Sequence, residues 1–333
     1  MGDVFILSDF GKLSKAGGHL LYTDFEGRTK PILPFKTDML VFASSVSITG
    51  DVFQILSDNG IPAFIIGRHG RKNIRLDYGC GKNVFLRQEQ FRLLDDKKRV
   101  LEISKSIISG KIRNQITFVM RIARNNPDLT EIDTIAEQMK AILKKVGSCR
   151  TADGVRGQEG NAARLYFSVL DLNIRPKWAM LGTRSHHPPK TNVNSVLSFL
   201  YSLLTCKIQT ALESFGLDTM AGNLHELSYG KDALAYDMVE EFRTPFADTL
   251  CCHLFNHGML CADDFRDEDG GVYLTEHGAG IVASEFEKKL SEEITVSRLG
   301  KSLPYRKIFL EQSRHYRDVV LGTEIEYVPF LFK

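Results

Sequence analysis

The chain has 333 residues, which suits two domains better than one and is ample for a large buried core. Its 43 Lys and Arg against 41 Asp and Glu give a formal net charge of +2, so total charge alone does not indicate a nucleic-acid binder. The start, MGDVFILSDFGKLSK, lacks the pattern of a signal peptide, and six scattered cysteines are typical of a reduced intracellular protein. We therefore expect a cytoplasmic protein.

The first 80 residues predict a small β-rich domain. Short strands are expected in VFILS, HLLYT, PILPF, MLVFAS and PAFIIG, with AGG and FEGRT as turns between the earlier ones. A short helix is expected from about Asp51 to Asn59. We predict a domain over 1–80 and a linker over 81–92.

From about Leu93 the apolar residues recur with the period of helices. One helix is predicted to end at Gly110, a second to run from Lys111 to Arg124, and a third to follow a capping pattern at Thr130. The longest predicted helix runs from about Val193 to Phe215. Its most apolar run, Val193 to Cys206, is too short and too polar to span a bilayer. The expected fold class is α+β, with an all-α domain over 93–333.

Basic residues are concentrated between Lys97 and Arg124, a stretch that contains eight Lys and Arg but only one acid, Glu102. This stretch is either a surface for phosphates or an ordinary solvated helical face. The sequence leaves both interpretations open.

Glu159 lies between glycines in GVRGQEGNAARLYF, at what reads as the start of an apolar-faced helix. A helix N-terminus favours a carboxylate, so the simplest interpretation is a helix-start acid. Glu159 becomes a candidate for chemistry only if other functional groups converge on it.

Two later segments offer such groups. AGNLHELSYG places His225 in a turn-rich segment, and LAYDMVEEFR places Asp237, Glu240 and Arg243 three residues apart on one helix face. Acids in so apolar a helix are costly unless they are paired or bind a metal. An internal ion pair with Arg243 is the alternative, as is a purely structural role for His225.

One Glu, one His and one Glu or Asp make a mixed oxygen and imidazole donor set. Carboxylates suit Mg²⁺ and Mn²⁺, and one imidazole shifts the preference towards Mn²⁺. Such a site supports phosphoryl transfer without a protein nucleophile. A rival, zinc-like set is Cys252, His253, His257 and Cys261, but no CxxC pair accompanies it.

Four segments in order, VRGQEGNAARLYF, NVNSVLSFLYSLL, GNLHE and LAYDMVEEFRTPFAD, resemble the CRISPR-associated adaptation endonuclease/integrase family, the universal spacer-acquisition nuclease. The resemblance covers essentially the whole chain. RSHHPPKTNVN also resembles the family's lead into its central helix, although His186 and His187 stand where more basic residues are expected. Glu241 stands where relatives often carry proline.

The resemblance implies roles for individual residues. Glu159, His225 and Glu240 match the catalytic metal ligands, for Mg²⁺ or Mn²⁺, and Asp237 matches a neighbouring acid that assists the ligands or holds basic groups. The candidates for DNA contact or for support of the ligands are Asp237, Arg164, Asn194, Tyr236 and Arg243.

The resemblance also implies an activity and partners. A DNA duplex with free 3′-hydroxyls is held across a homodimer, and each hydroxyl attacks a repeat-border phosphodiester; water attack gives endonuclease activity on branched DNA. A small ferredoxin-fold adaptation protein bridges two dimers, and a CRISPR-associated exonuclease is a further candidate partner. The N-terminal sheet is expected to form the dimer contact. The alternatives are a non-catalytic DNA-binding scaffold of the same fold and a phosphohydrolase for small nucleotides, although the latter often has HD pairs that this sequence lacks.

Overall fold

The computed structural model describes residues 2–8, 10–67, 74–76, 83–185 and 188–332. The chain forms two compact units. The sheet unit contains residues 1–80, 185–198 and 258–288, and the helical unit contains residues 81–184, 199–257 and 289–333. The first helix of the helical unit begins at Val84, before Leu93 where the sequence predicts the helical period to start. The sheet unit also takes in two later segments.

The first part of the sheet unit alternates short strands with one helix. Its elements are β1 (Gly2–Ile6), β2 (Gly11–Ala16), β3 (His19–Asp24), β4 (Thr29–Ile32), β5 (Thr37–Ala43), β6 (Val46–Ile48), α1 (Gly50–Asp58), β7 (Ala63–Ile66) and β8 (Ile74–Leu76).

These strands form two four-stranded sheets. In one, of order β1-β5-β7-β8, β5 runs parallel to both neighbours and β8 runs antiparallel to β7. In the other, of order β4-β3-β2-β6, β3 is antiparallel to β2 and β4. Leu13, Leu40, Phe42, Val52 and Leu56 belong to one apolar core cluster, so both sheets and α1 bury apolar surface together. The β-rich N-terminal region is confirmed.

The later segments of the sheet unit are the start of α6 (Asn192–Ser214), the hairpin of β9 (Phe265–Glu268) and β10 (Gly271–Leu274), and most of α9 (Glu276–Leu290). The ring of Phe286 on α9 packs edge-on against Phe5 of β1, with centroids 6.3 Å apart. The expectation of an all-α region over 93–333 is wrong in this detail, because the turn at Asp269 and Gly270, both with positive φ, closes a hairpin there.

The helical unit contains the rest of the chain. Its elements are α2 (Val84–Asp95), α3 (Lys97–Asn125), α4 (Glu131–Ser148), α5 (Ala152–Leu172), most of α6, α7 (Ala233–Phe242), a π-helical turn (Arg243–Asp248), α8 (Thr249–Asn256), the hairpin β11 (Glu293–Val296) and β12 (Lys301–Pro304), and α10 (Tyr305–Val320). α2 overlaps the interval 81–92 that the sequence suggested as a linker.

α3 is one continuous helix, so the predicted break at Gly110 is wrong. A Cβ at Gly110 would lie 2.4 Å from the Cβ of Pro329, because the C-terminal segment crosses the helix at this point. Glycine here permits a close approach of two chain segments and does not end a helix.

α6 has 23 residues and a mean hydropathy of 1.2 over its most apolar window, so by length and composition alone it could cross a membrane. Its bounds match the helix predicted from about Val193 to Phe215, and its most apolar window, of 18 residues, is longer than the run from Val193 to Cys206. However, 67% of that window is buried inside the protein, which is typical of a core helix that packs against other helices.

Candidate active site

Glu159 lies in the interior of a helix. α5 begins at Ala152, where the Thr151 hydroxyl accepts a hydrogen bond from the Gly154 N–H at 3.1 Å. The expectation of a helix-start acid is therefore wrong, since Glu159 comes two turns later. Its spacing from Val155 and Ala162 places it on the buried stripe of the helix, with 28% of its side chain exposed.

Lys111 of α3 brings two of the predicted ligands together. Its ammonium contacts Glu159 Oε1 and lies 2.6 Å from Glu240 Oε2. Lys111 is only 5% exposed. The sequence presents Lys111 as one member of a basic run, but its place one turn after Ile107 and beside Ile112 on an apolar stripe is a signal of burial.

Glu240 lies in α7, a helix that is buried on nearly every side, and is itself 4% exposed. The Arg243 guanidinium lies 3.2 Å from Glu240 Oε1. Burial alone would raise the pKa of Glu240, but the charges of Arg243 and Lys111 outweigh it and lower the pKa to about 2. In the same way burial would lower the pKa of Lys111, and the two carboxylates raise it on balance. The cluster therefore holds ionised groups of both signs.

Asp237, fully buried, orients His225. Its carboxylate accepts backbone N–H bonds from Leu224 at 2.9 Å and His225 at 3.0 Å, and lies 2.7 Å from the His225 Nδ1. Because Nδ1 is engaged, Nε2 is the nitrogen left for a ligand. His225 is among the groups that act electrostatically on Glu240 to lower its pKa, so the histidine belongs to the same cluster.

The donor chemistry of Glu159, Glu240 and His225 fits Mg²⁺ or Mn²⁺. Both carboxylates already converge on one cation, the Lys111 ammonium, and a buried acid holds the imidazole as it does in many metal sites. Within the described ranges, no three His, Cys, Asp or Glu side chains stand close enough together to hold a metal as they lie. As they lie, Glu159 and Glu240 are paired with the Lys111 ammonium.

The rival zinc set gains nothing from the structure. Burial raises the pKa of the Cys252 thiol to about 12, which disfavours the thiolate that zinc requires. The exposed rings of His253, on α8, and His257, directly after α8, lie 4.5 Å apart, and Cys261 is exposed.

The other predicted contact residues lie in different surroundings. Tyr236 is half-buried, with its ring 5.9 Å from that of His225. Arg164 is exposed on α5 but, five residues after Glu159, projects about 140° away around the helix. Asn194, fully buried in the sheet unit, accepts the Ser185 N–H at 2.9 Å and so orders the chain before α6. His186 and His187 lie outside the described residues.

A second polar cluster, which sequence reasoning missed, adjoins Arg243. The Asp248 carboxylate accepts hydrogen bonds of 2.6 Å from both Tyr166 and Tyr201, and burial raises its pKa. The Arg243 guanidinium lies 4.7 Å from the centre of the Tyr201 ring, and that of Arg184 lies 5.4 Å from it. The available signal was a proline inside a helical pattern, at the point where the structure has its π-helical turn, a distortion common at functional sites.

The basic stretch from Lys97 to Arg124 does not present a single charged face. Lys111 is buried, Lys105 pairs with Glu102 at 2.9 Å, and the Arg121 guanidinium lies 4.5 Å from the centre of the Phe332 ring. The members that the structure places fully at the surface are Lys97, Lys98, Arg113 and Arg124. Any surface for phosphates on α3 is therefore smaller than the sequence suggested.

Three solved structures of similar fold each cover 97% or more of this chain. A Cas1 protein from Thermotoga maritima superposes with a TM-score of 0.81 at 20% identity, covering 97% of this chain and 98% of that one. A casposase bound to its integration product gives a TM-score of 0.88 at 20% identity, with 98% and 93% covered. A chain of a Cas6-RT-Cas1–Cas2 complex gives a TM-score of 0.84 at 20% identity. The match covers 100% of this chain and 36% of that longer chain. At this identity the likeness establishes the fold.

Sequence relatives are closer. A protein of Moorella thermoacetica named CRISPR-associated endonuclease Cas1 1 is 31% identical, with 93% of this chain and 92% of the relative covered. A Thermus thermophilus protein named CRISPR-associated endonuclease Cas1 3 is 30% identical, with 99% and 97% covered. The family model described as CRISPR associated protein Cas1 matches residues 4–288. With its predicted motifs, its fold and this match in agreement, the chain belongs to the CRISPR-associated Cas1 family.

Proposed function

We propose that this chain is a metal-dependent DNA endonuclease and integrase. It joins the 3′-hydroxyls of a short DNA duplex to phosphodiesters at the borders of a CRISPR repeat. The observation that carries the proposal is the convergence of Glu159 and Glu240 on one cation, beside a histidine held by a buried acid. The names of the sequence relatives, and a casposase of similar fold bound to an integration product, support the reaction class.

The chain's own residues would divide the work as follows. Glu159, Glu240 and His225 would hold Mg²⁺ or Mn²⁺, which as a Lewis acid lowers the cost of charge that develops on the attacked phosphate. Asp237 keeps the His225 ring in one orientation. Arg243 lies beside Glu240 and adds positive charge next to the reaction site. Glu159 and His225 are each about a quarter exposed, so substrate can reach the site from their side.

The partners follow from the same assignment. We propose a homodimer in which the sheet unit supplies the contact, since Phe10, Phe25 and Phe35 are each about two-thirds exposed or more. A Cas2-type adaptation protein of ferredoxin-like fold is proposed as the second partner, because a solved complex that contains Cas1 and Cas2 spans this whole chain. Double-stranded and branched DNA are the substrates, an exonuclease is a further partner, and the expected compartment is the cytoplasm.

The alternative is a DNA-binding scaffold without catalysis. It predicts DNA binding that is indifferent to metal and to the loss of any of Glu159, His225 or Glu240. The buried charges favour the enzyme, since an apolar interior would be the cheaper choice for a scaffold.

The test is strand transfer with the purified chain and the Cas2-type partner. The substrates are a labelled duplex with 3′-hydroxyls and a supercoiled plasmid that carries a CRISPR repeat, in Mn²⁺ or in EDTA. We expect joining in Mn²⁺ alone, and its loss in Glu159→Ala and His225→Ala.

His277→Ala is the matched control. His277 also places its Nδ1 2.7 Å from a carboxylate oxygen, that of Asp264, but lies in the sheet unit and is largely exposed. It should join DNA at the wild-type rate. Activity that survives in His225→Ala or in EDTA would sink the metal assignment, and DNA binding without any joining would support the scaffold.

A further inference from the structure

The ion pairs around Lys111 link three helices of the helical unit at one point. Lys111 reaches from α3 to Glu159 on α5 and to Glu240 on α7. Its side chain is 6% exposed, and that of Glu240 is 5% exposed. Two carboxylates that are not held by opposite charge would repel each other in such a setting.

The ammonium and a divalent ion require the same oxygens. Lys111 Nζ lies 2.6 Å from Glu240 Oε2 and contacts Glu159 Oε1. A Mg²⁺ ion bound to the same oxygens would lie at about 2.0–2.1 Å from each. The two cations cannot share that space, and their like charges oppose simultaneous binding.

We propose that Lys111 is a positioning residue that holds the two carboxylates together and competes with the divalent metal for them. The inference rests on the proposed metal site. Lys111 keeps the ligands converged until metal arrives, and metal binding moves the ammonium out from between them. Arg243, at 3.2 Å from the other oxygen of Glu240, can remain in place.

The competition has a measurable consequence. A metal site that is open only while Lys111 is displaced has a reduced apparent affinity for metal. Its apparent Kd is the intrinsic Kd divided by the fraction of the time that the site is open. If the displaced form is populated about one tenth of the time, removal of the ammonium tightens metal binding about tenfold. A residue with a merely structural role would weaken metal binding when removed, so the direction of the change distinguishes the two.

The experiment is calorimetric titration of the chelated full-length chain with Mn²⁺ in the absence of DNA. We expect Lys111→Met to bind Mn²⁺ about tenfold more tightly than wild type. In EDTA the melting temperature of Lys111→Met should be lower than that of wild type. Addition of Mn²⁺ should raise the melting temperature of Lys111→Met by more than it raises that of wild type. Lys111→Arg, which restores the charge, should return the affinity towards the wild-type value.

Lys289→Met is the matched control. Lys289 is also a largely buried lysine of the helical unit, 3.2 Å from the carboxylate of Glu292 and outside the metal cluster. Its Mn²⁺ affinity should equal that of wild type. Unchanged or weaker Mn²⁺ binding in Lys111→Met would overturn the inference, as would failure of both Lys111→Met and Lys111→Gln to fold even in Mn²⁺.

Failure of the proposed function gives a different result. If wild-type chain binds no Mn²⁺, or binds it equally well after Glu240→Gln, the metal site itself is wrong. If wild type binds and Glu240→Gln does not, but Lys111→Met is no tighter, only the role of Lys111 is wrong.

Discussion

Asp237 is the residue on which the orientation of His225 depends. Its two oxygens accept the Leu224 and His225 backbone N–H groups and contact His225 Nδ1, so one buried carboxylate fixes both the loop and the ring. A carboxylate suits this position because Asp237 accepts from three successive backbone N–H groups, those of Asn223, Leu224 and His225.

Asp237→Asn keeps the shape of the side chain but turns one acceptor into a donor that faces other donors. We expect Mn²⁺ affinity to fall about 10–100-fold, the usual cost of losing the partner of a ligating histidine. Titration of Mn²⁺ into wild type and variant measures it, with circular dichroism to confirm the fold. Equal affinities would show that His225 does not need this partner.

At the scale of elements, the C-terminal segment is bound to α7 through Glu241, the neighbour of a predicted ligand. Glu241 accepts hydrogen bonds from the Tyr327 hydroxyl at 2.6 Å and from the Phe330 N–H. Asn114 of α3 donates to the Phe330 carbonyl at 2.9 Å. A residue that the sequence marked only as a departure from proline thus attaches the end of the chain.

This attachment makes stability depend on pH. Burial raises the pKa of Glu241 from 4.5 to about 7, against the hydrogen bonds that lower it. Between those values the folded chain binds more protons than the unfolded chain, so the free energy of unfolding falls as pH rises from about 4.5 to about 7. The contribution is on the order of 3 kcal/mol.

Urea denaturation of wild type and Glu241→Gln in EDTA, at a series of pH values, isolates this contribution. Other titrating groups, such as His315, are present in both chains and cancel in the difference. We expect the wild-type curve to decline relative to the variant over that interval and to run parallel above it. Parallel curves throughout would mean that Glu241 is already ionised at pH 5.

For the whole molecule, the distribution of charge matters more than its total. Arg113 and Arg124 are exposed on α3 and eleven residues apart, close to three full turns, so they lie on one face. With Lys97 and Lys98 at the start of the helix, this pair makes up the fully exposed part of the predicted basic stretch.

We expect Arg113→Gln with Arg124→Gln to weaken DNA binding and to reduce the log–log salt slope by about 2, roughly 0.9 for each phosphate that is no longer neutralised. Fluorescence anisotropy with a labelled duplex between low and moderate salt measures the slope. Lys15→Gln with Lys30→Gln, two exposed lysines of the sheet unit, removes the same charge and should leave the slope unchanged. A similar decrease of the salt slope in both double variants would show that net charge, and not the position of Arg113 and Arg124, determines DNA binding.

The fold was predictable where its signals are local. Short runs rich in β-branched and aromatic residues, with turn signals between them, marked β1, β3, β5 and β7, and the helical period marked α4, α5 and α6. Each of these signals depends on neighbours within a few positions. Prediction failed where contacts between distant parts of the chain determine the residue. The predicted helix break at Gly110 was wrong because the glycine makes room inside α3 for Pro329, which lies far along the chain.

The same distinction between local and distant signals applies to the candidate active site. The sequence by itself determined the family and the types of group available, one histidine and several acids in apolar surroundings. Only the tertiary structure decided that Lys111 lies between Glu159, 48 positions away, and Glu240. A periodic pattern specifies which face of a helix is buried, but the partner of a buried charge is chosen by how α3, α5 and α7 pack, because an unpaired charge in that interior would cost too much.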